Sequence, residues 1–245
     1  MINKRGRGRH GARRLLLKRL VFACLPVACA LPNTVQAHHG LDFILVQTAH
    51  LPERGSGYAF ARLNHLSESE DETEIEPAVL YGAADRIAVE AHAHYAKEGG
   101  GSFAYESIAP AVHLRLTSRE RPLAVGISAE YAFASGSGSA DVADVAAIAG
   151  YERGRWMAAA NLLYEKLSGA AGEWGYAAGI RRTFGLKHGI GVEALGSFES
   201  DGYSEMMVGY YGELSEQFTI NAGIGTKIDE GPDQAFHMTF IWRFK

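Results

Sequence analysis

From Trp174 to the C-terminus, apolar residues fall mostly on even positions, in short segments separated by turn residues. Side chains on a strand change face at every step, so this alternation describes strands with one apolar and one mostly polar face. Phe236, Met238, Phe240, Trp242 and Phe244 alternate with Ala235, His237, Thr239, Ile241 and Arg243. Phe218, Ile220, Ala222 and Ile224 oppose Thr219, Asn221, Gly223, Gly225 and Lys227, and Met206, Val208, Tyr210 and Leu214 oppose Glu205, Met207, Gly209, Tyr211 and Glu213. Residues 190–198 and 174–184 follow the same rule. Each segment has about ten residues, the length that crosses a bilayer as a tilted strand. A soluble sandwich also alternates. Here, however, Trp, Tyr and Phe cap the apolar face at strand ends, while the other face is rich in Gly, Ala, Ser and charge, as in a transmembrane barrel.

Upstream, segments 57–66, 74–81, 87–95, 105–116, 123–133, 142–152 and 156–166 continue the pattern. The sequence therefore predicts an all-β fold for residues 55–245, an antiparallel up-and-down transmembrane barrel of twelve strands. An even count puts both barrel ends in the periplasm. Segments 82–85, 118–121, 152–155, 185–188 and 213–216 read as tight periplasmic turns, and 67–73, 135–141 and 229–234 as short outer loops. No run of 18 apolar residues exists, which excludes a helical membrane bundle.

Residues 1–37 have a different composition. Lys4, Arg5, Arg7, Arg9, Arg13, Arg14, Lys18 and Arg19 precede an apolar stretch at 20–31, and Val35 and Ala37 supply small residues for a cut. This is the order of a secretory signal peptide, and the apolar stretch is too short to span a bilayer as a helix. The pair Arg13-Arg14 resembles a twin-arginine signal. Ordinary secretion is favoured, because a barrel reaches its assembly site unfolded. Cys24 and Cys29 leave with the signal, so the mature chain has no disulfide and no thiolate site. The signal also holds eight of the 24 Lys and Arg and none of the 28 Asp and Glu, leaving a formal charge of −12 on the remainder. That balance disfavours nucleic acid and suits a surface or lumen meeting cations or neutral solutes.

Between signal and barrel lies an N-terminal segment, 38–54. Residues 42–51 are apolar enough for a thirteenth strand. An odd count would break the parity of the ends, so the segment is expected inside the barrel or against its periplasmic mouth.

The stretch Glu76-Pro77-Ala78-Val79-Leu80-Tyr81-Gly82-Ala83-Ala84-Asp85-Arg86 leads through a tight turn into Ile87-Ala88-Val89-Glu90. This hairpin resembles a motif of a bacterial outer-membrane protein family named after the meta-cleavage pathway of phenol degradation. The resemblance implies an outer-membrane channel for hydrophobic or aromatic compounds.

Alternation also sorts candidate site residues onto the inward face. Glu74, Glu76, Glu90, His92 and His94 gather on adjacent strands, and histidines at i and i+2 project to one side, so a carboxylate and imidazole metal site is one reading. A charged network filling the interior is the stronger one. Arg115, Arg181, Lys227 and Arg243 are expected to face Glu130, Glu152, Glu165, Glu193 and Glu213 across the lumen. Pairing would plug the pore, and lack of pairing would leave it acidic. Cleavage after Ala37 would expose His38 and His39 beside a free amine, a nitrogen ligand set for Cu(II) or Ni(II). Ser128 and Ser197 lie on the lumen face with no histidine adjacent in sequence, so no enzyme is expected. The expected function is a channel or passive transporter in the outer membrane for small solutes, hydrophobic or cationic, needing no cofactor. Its partners are outer-membrane lipid and the solute. The alternative is a non-conducting structural or metal-binding barrel, part of a larger envelope assembly.

Overall fold

The computed structural model describes residues 41–67, 72–136, 139–199, 203–228 and 234–245. The expected signal peptide, with His38 and His39, lies outside the described residues.

Twelve strands follow in order. They are β1 (Gly57–Ser67), β2 (Glu72–Ala84), β3 (Ile87–Glu98), β4 (Ala104–Arg115), β5 (Leu123–Ala134) and β6 (Val142–Arg153), then β7 (Trp156–Leu167), β8 (Gly172–Phe184), β9 (His188–Ser197), β10 (Ser204–Glu213), β11 (Phe218–Lys227) and β12 (Gln234–Phe244). Each pairs antiparallel with its sequence neighbour, and β1 closes the ring on β12 with Gly57 opposite Phe244. Closure satisfies every edge, which an apolar solvent demands.

The outer face confirms that solvent. Ile180, Val192, Val208, Ile224 and Phe236 stand opposite one another on β8 to β12, forming one continuous apolar row. Val208 is 59% exposed and Ile224 66%. Such a belt is untenable in water and ordinary in hydrocarbon. Tyr81, Tyr151, Trp156, Phe184 and Trp242 ring the end where β1 starts and β12 finishes, while Tyr105, Phe133, Trp174 and Phe198 ring the other. The protein is an outer-membrane β-barrel. Its termini and the two-residue turns between β2 and β3 and between β6 and β7 mark the periplasmic end.

The inward face is less uniform than the alternation predicts. On β1 to β5 it carries buried Arg62, Glu76, Glu90, His92, His113 and Arg115. On β6 to β10 it carries Ile148, Met157, Leu163, Ala177, Leu195 and Met207, which form one apolar cluster with Phe43, Ile44, Leu45 and Val46. The expectation of a mostly polar inward face is thus corrected for half the circumference. The apolar wall is the seat of the chain that precedes β1.

Candidate functional site

Residues 41–54 belong to no strand, and Phe43 to Val46 are buried in the apolar cluster. Each such side chain, fully buried, is worth about 1.5–3 kcal/mol. Burial also removes water from the main chain, so every amide there needs a partner. Side chains of the wall supply them. The carboxylate of Glu193 on β9 accepts from the backbone N–H of Ile44 (2.8 Å), Leu45 (2.6 Å) and Val46 (3.1 Å). Three successive N–H groups converging on one carboxylate form an anion nest. Tyr211 donates its hydroxyl to the same carboxylate.

Further along, Asn161 on β7 accepts from Gln47 N at 2.7 Å and donates to Gln47 O at 3.0 Å. Ser128 on β5 donates to Gln47 Oε1. Asn221 donates to Leu41 O, Arg115 to Ala49 O, and Arg119 to Pro52 O. Among the described residues, main chain meets main chain only beyond this stretch, where Gly55 N donates to Gly82 O. The close fit needs missing side chains. A Cβ on Gly179 would lie 3.0 Å from the Phe43 ring, and one on Gly82 would lie 2.2 Å from Glu53 O.

Asp42 organises the start of the segment. It accepts from Thr48 and contacts His50 at 2.8 Å, and Arg181 binds both its carboxylate and its carbonyl. Burial works against the Asp42 charge, but the His50 hydrogen bond and the Arg181 guanidinium outweigh it and hold the carboxyl well below its usual range. The Asp42 hydrogen bond in turn raises His50 above its ordinary value against the effect of burial.

The charged wall is a network. Arg62 Nη1 lies 3.1 Å from Glu76 Oε2, with its guanidinium over the Phe60 ring. His92 Nε2 lies 3.4 Å from Glu130 and 4.0 Å from Glu76, and its Nδ1 lies 3.6 Å from Glu90. His113 contacts Glu90 at 3.2 Å, and His94 contacts Glu74 at 3.6 Å and Glu106 at 3.0 Å. Asn64 links Glu74 to His237, which meets Glu205 at 2.9 Å. Glu74, Glu76, Glu90, His92 and His94 are therefore gathered as the alternation predicts. Among the described residues, however, no group of three or more His, Cys, Asp or Glu stands in a metal-holding arrangement.

Outward of this network the barrel opens into a cavity of about 550 Å³. Glu76, Glu106, Glu130, Asp144 and Glu165 line it with His92 and His94, and among the described residues no Lys or Arg does.

Several of the charges offered as partners across the lumen are engaged elsewhere. Arg115 donates to the carbonyls of Ala49, Thr117 and Ser118, Arg181 is taken by Asp42, and Glu193 by the nest. Glu152, Glu213 and Arg243 have inward parity but sit exposed at the periplasmic rim, and Lys227 lies at the outer end over the Tyr203 ring. Asn161, Arg62, His113, Asn221 and Gly179 were absent from the sequence-based candidates. Leu162-Leu163 and Met206-Met207, where both faces turn apolar, were the available signal for an apolar seat.

No family model matches the chain, and no curated protein matches its sequence. Solved structures do resemble it. An outer membrane channel from Pseudomonas putida F1 superposes with a TM-score of 0.63 at 10% identity, covering 84% of this chain and 99% of that one. The KdgM porin superposes with a TM-score of 0.55 at 11% identity, covering 76% and 99%, and it has also been solved in complex with disordered oligogalacturonate. At such identity the likeness is one of fold.

Proposed function

We propose that this barrel is an outer-membrane channel for small solutes, with a cation-preferring outer entrance and a plug formed by its own segment 38–54. One observation carries the reading: among the described residues the outer cavity is lined by five carboxylates and two histidines with no Lys or Arg, and the lumen behind it is filled by a segment held through wall side chains. A low-dielectric cavity with an excess of carboxylates concentrates cations. Removing the segment breaks no hydrogen bond between barrel strands. The channel and porin names of the superposed structures support a conducting barrel. The hairpin at 76–90 keeps the phenol-pathway family as the proposed kinship, with apolar solutes as a further class.

Planar-bilayer recordings of residues 38–245 and of a version lacking 38–54 test this. The expected result is small or intermittent conductance for the first and steady, cation-preferring conductance for the second. Silence from both would mean a non-conducting barrel, locked by the Arg62, Glu76, His92 and Glu130 network.

A further inference from the structure

We propose that the lumen is a receptor for polypeptide main chain, that short peptides are the solute class it admits, and that residues 41–52 occupy the site as a tethered resident. The proposal rests on the channel reading above and names its solute.

The wall recognises what every peptide shares. One amide side chain, Asn161, takes both the N–H and the C=O of Gln47. This is the exchange that two backbone amides make in a sheet, and it carries no information about the side chain between them. Glu193 takes three successive N–H groups, and Asn221, Arg115 and Arg119 each take a carbonyl. Asn161, Glu193 and Asn221 are at most 5% exposed, so these groups are committed to the bound chain rather than to solvent. Side-chain contacts of the wall add to these: Arg181 binds the Asp42 carboxylate and lies over the Phe43 ring, Tyr211 meets that ring edge-on, and Ser128 binds the Gln47 amide.

Recognition by wall side chains has a consequence for exchange. A segment added as a strand would share ladder bonds with the barrel, whereas this one can be replaced by another peptide without opening the ring. Peptides also bring an ammonium group, which the carboxylates of the outer cavity attract. The resident competes at the effective concentration of a short tether, of millimolar order.

The test uses the full mature chain. Residues 38–245 contain no cysteine, so Ala49→Cys introduces a single thiol at a site 2% exposed. Its modification rate by a thiol reagent reports displacement of the segment. Two end-blocked peptides are added, one with the sequence of residues 41–52 and one of equal length and charge with unrelated apolar residues. Both are expected to raise the rate by about tenfold at millimolar concentration. Asn161→Leu in the same background should raise the basal rate and reduce the gain from either peptide. Acceleration by the cognate peptide alone would mean a dedicated plug and would overturn the proposal, as would no acceleration by either. Conductance recorded without peptide tests the channel reading separately, so the two failures are distinguishable.

Discussion

The two walls of this lumen solve the same problem in opposite ways. Both bury polar main chain and side chain away from bulk water. Strands β1 to β5 fill their side with charge, where Arg62 faces Glu76, and His92 stands among Glu76, Glu90 and Glu130. Strands β6 to β10 present Leu163, Leu195 and Met207 and place single polar groups, Asn161 and Glu193, where the bound segment's amides need them. A charged network is self-sufficient and costly to disturb, because removing one member strands the others. An apolar wall with isolated acceptors is completed only by a guest. The difference puts most of the self-contained charge network on one wall and the Glu193 and Asn161 acceptors on the other, while Arg115 and Ser128 of the charged wall also hold the segment.

The comparison is sharpened first by Glu193→Ala. It strands three buried N–H groups, and each lost charged hydrogen bond is worth about 1.5–3 kcal/mol. Labelling of a cysteine at position 46 should accelerate about a hundredfold or more. Thermal unfolding of the barrel should change little, since no ladder bond involves the segment; a collapse of the barrel would break the distinction between the walls. Gly179→Val comes next, because a branched side chain meets the Phe43 ring and Glu193. Overpacking costs about 1–3 kcal/mol, so the same labelling should rise by roughly ten- to a hundredfold.

The dependence on pH is gentler. His50 is raised above its ordinary 6.5, so its contribution is complete below that value and is lost as pH rises through its folded value. Asp42 is lowered from its ordinary 3.8, so its contribution is present above that value and is lost as pH falls through its folded value. Protection of the segment should therefore be greatest between about 3.8 and 6.5. The measure is the ratio of labelling rates in folded and unfolded protein, which cancels the reagent's own pH dependence. His50→Gln should remove the alkaline decline, and its persistence would contradict the assignment. Smallest is the effect of single charges at the entrance. Glu165→Gln or Asp144→Asn in the chain lacking 38–54 should lower the cation-to-anion permeability ratio by about twofold or less, read as a reversal potential.

Much of the barrel was legible because alternation is a local property that survives in one sequence. Phe240 and Trp242 against Thr239 and Ile241 suffice to place β12. Parity also gathered Glu76, Glu90 and His92 correctly, since neighbours across a ladder are set by register. Parity could not tell that Arg181 would meet Asp42 or that Glu193 would meet three amides. Those contacts join the lumen to residues 139 to 149 positions away in the chain, through a segment with no period of its own. Height along the axis was equally hidden. Glu213 and Arg243 share inward parity with Glu193, yet they end at the rim because the strands end there.

The central claim is that residues 41–52 sit in the lumen and control passage. Ala49 Cβ lies 3.0 Å from where a Cβ on Gly126 would stand, and that Cβ would meet the Leu114 backbone oxygen at 2.8 Å, so a disulfide between these positions needs a local shift of β5 against β4. Single-channel recording of mature Ala49→Cys/Gly126→Cys, in the loosened Glu193→Ala background, under oxidising and then reducing conditions is the direct measurement. The account predicts silence when oxidised and steady conductance once the bond is reduced. Equal conductance in both states with the disulfide formed, or failure of the two cysteines to join at all, would contradict it.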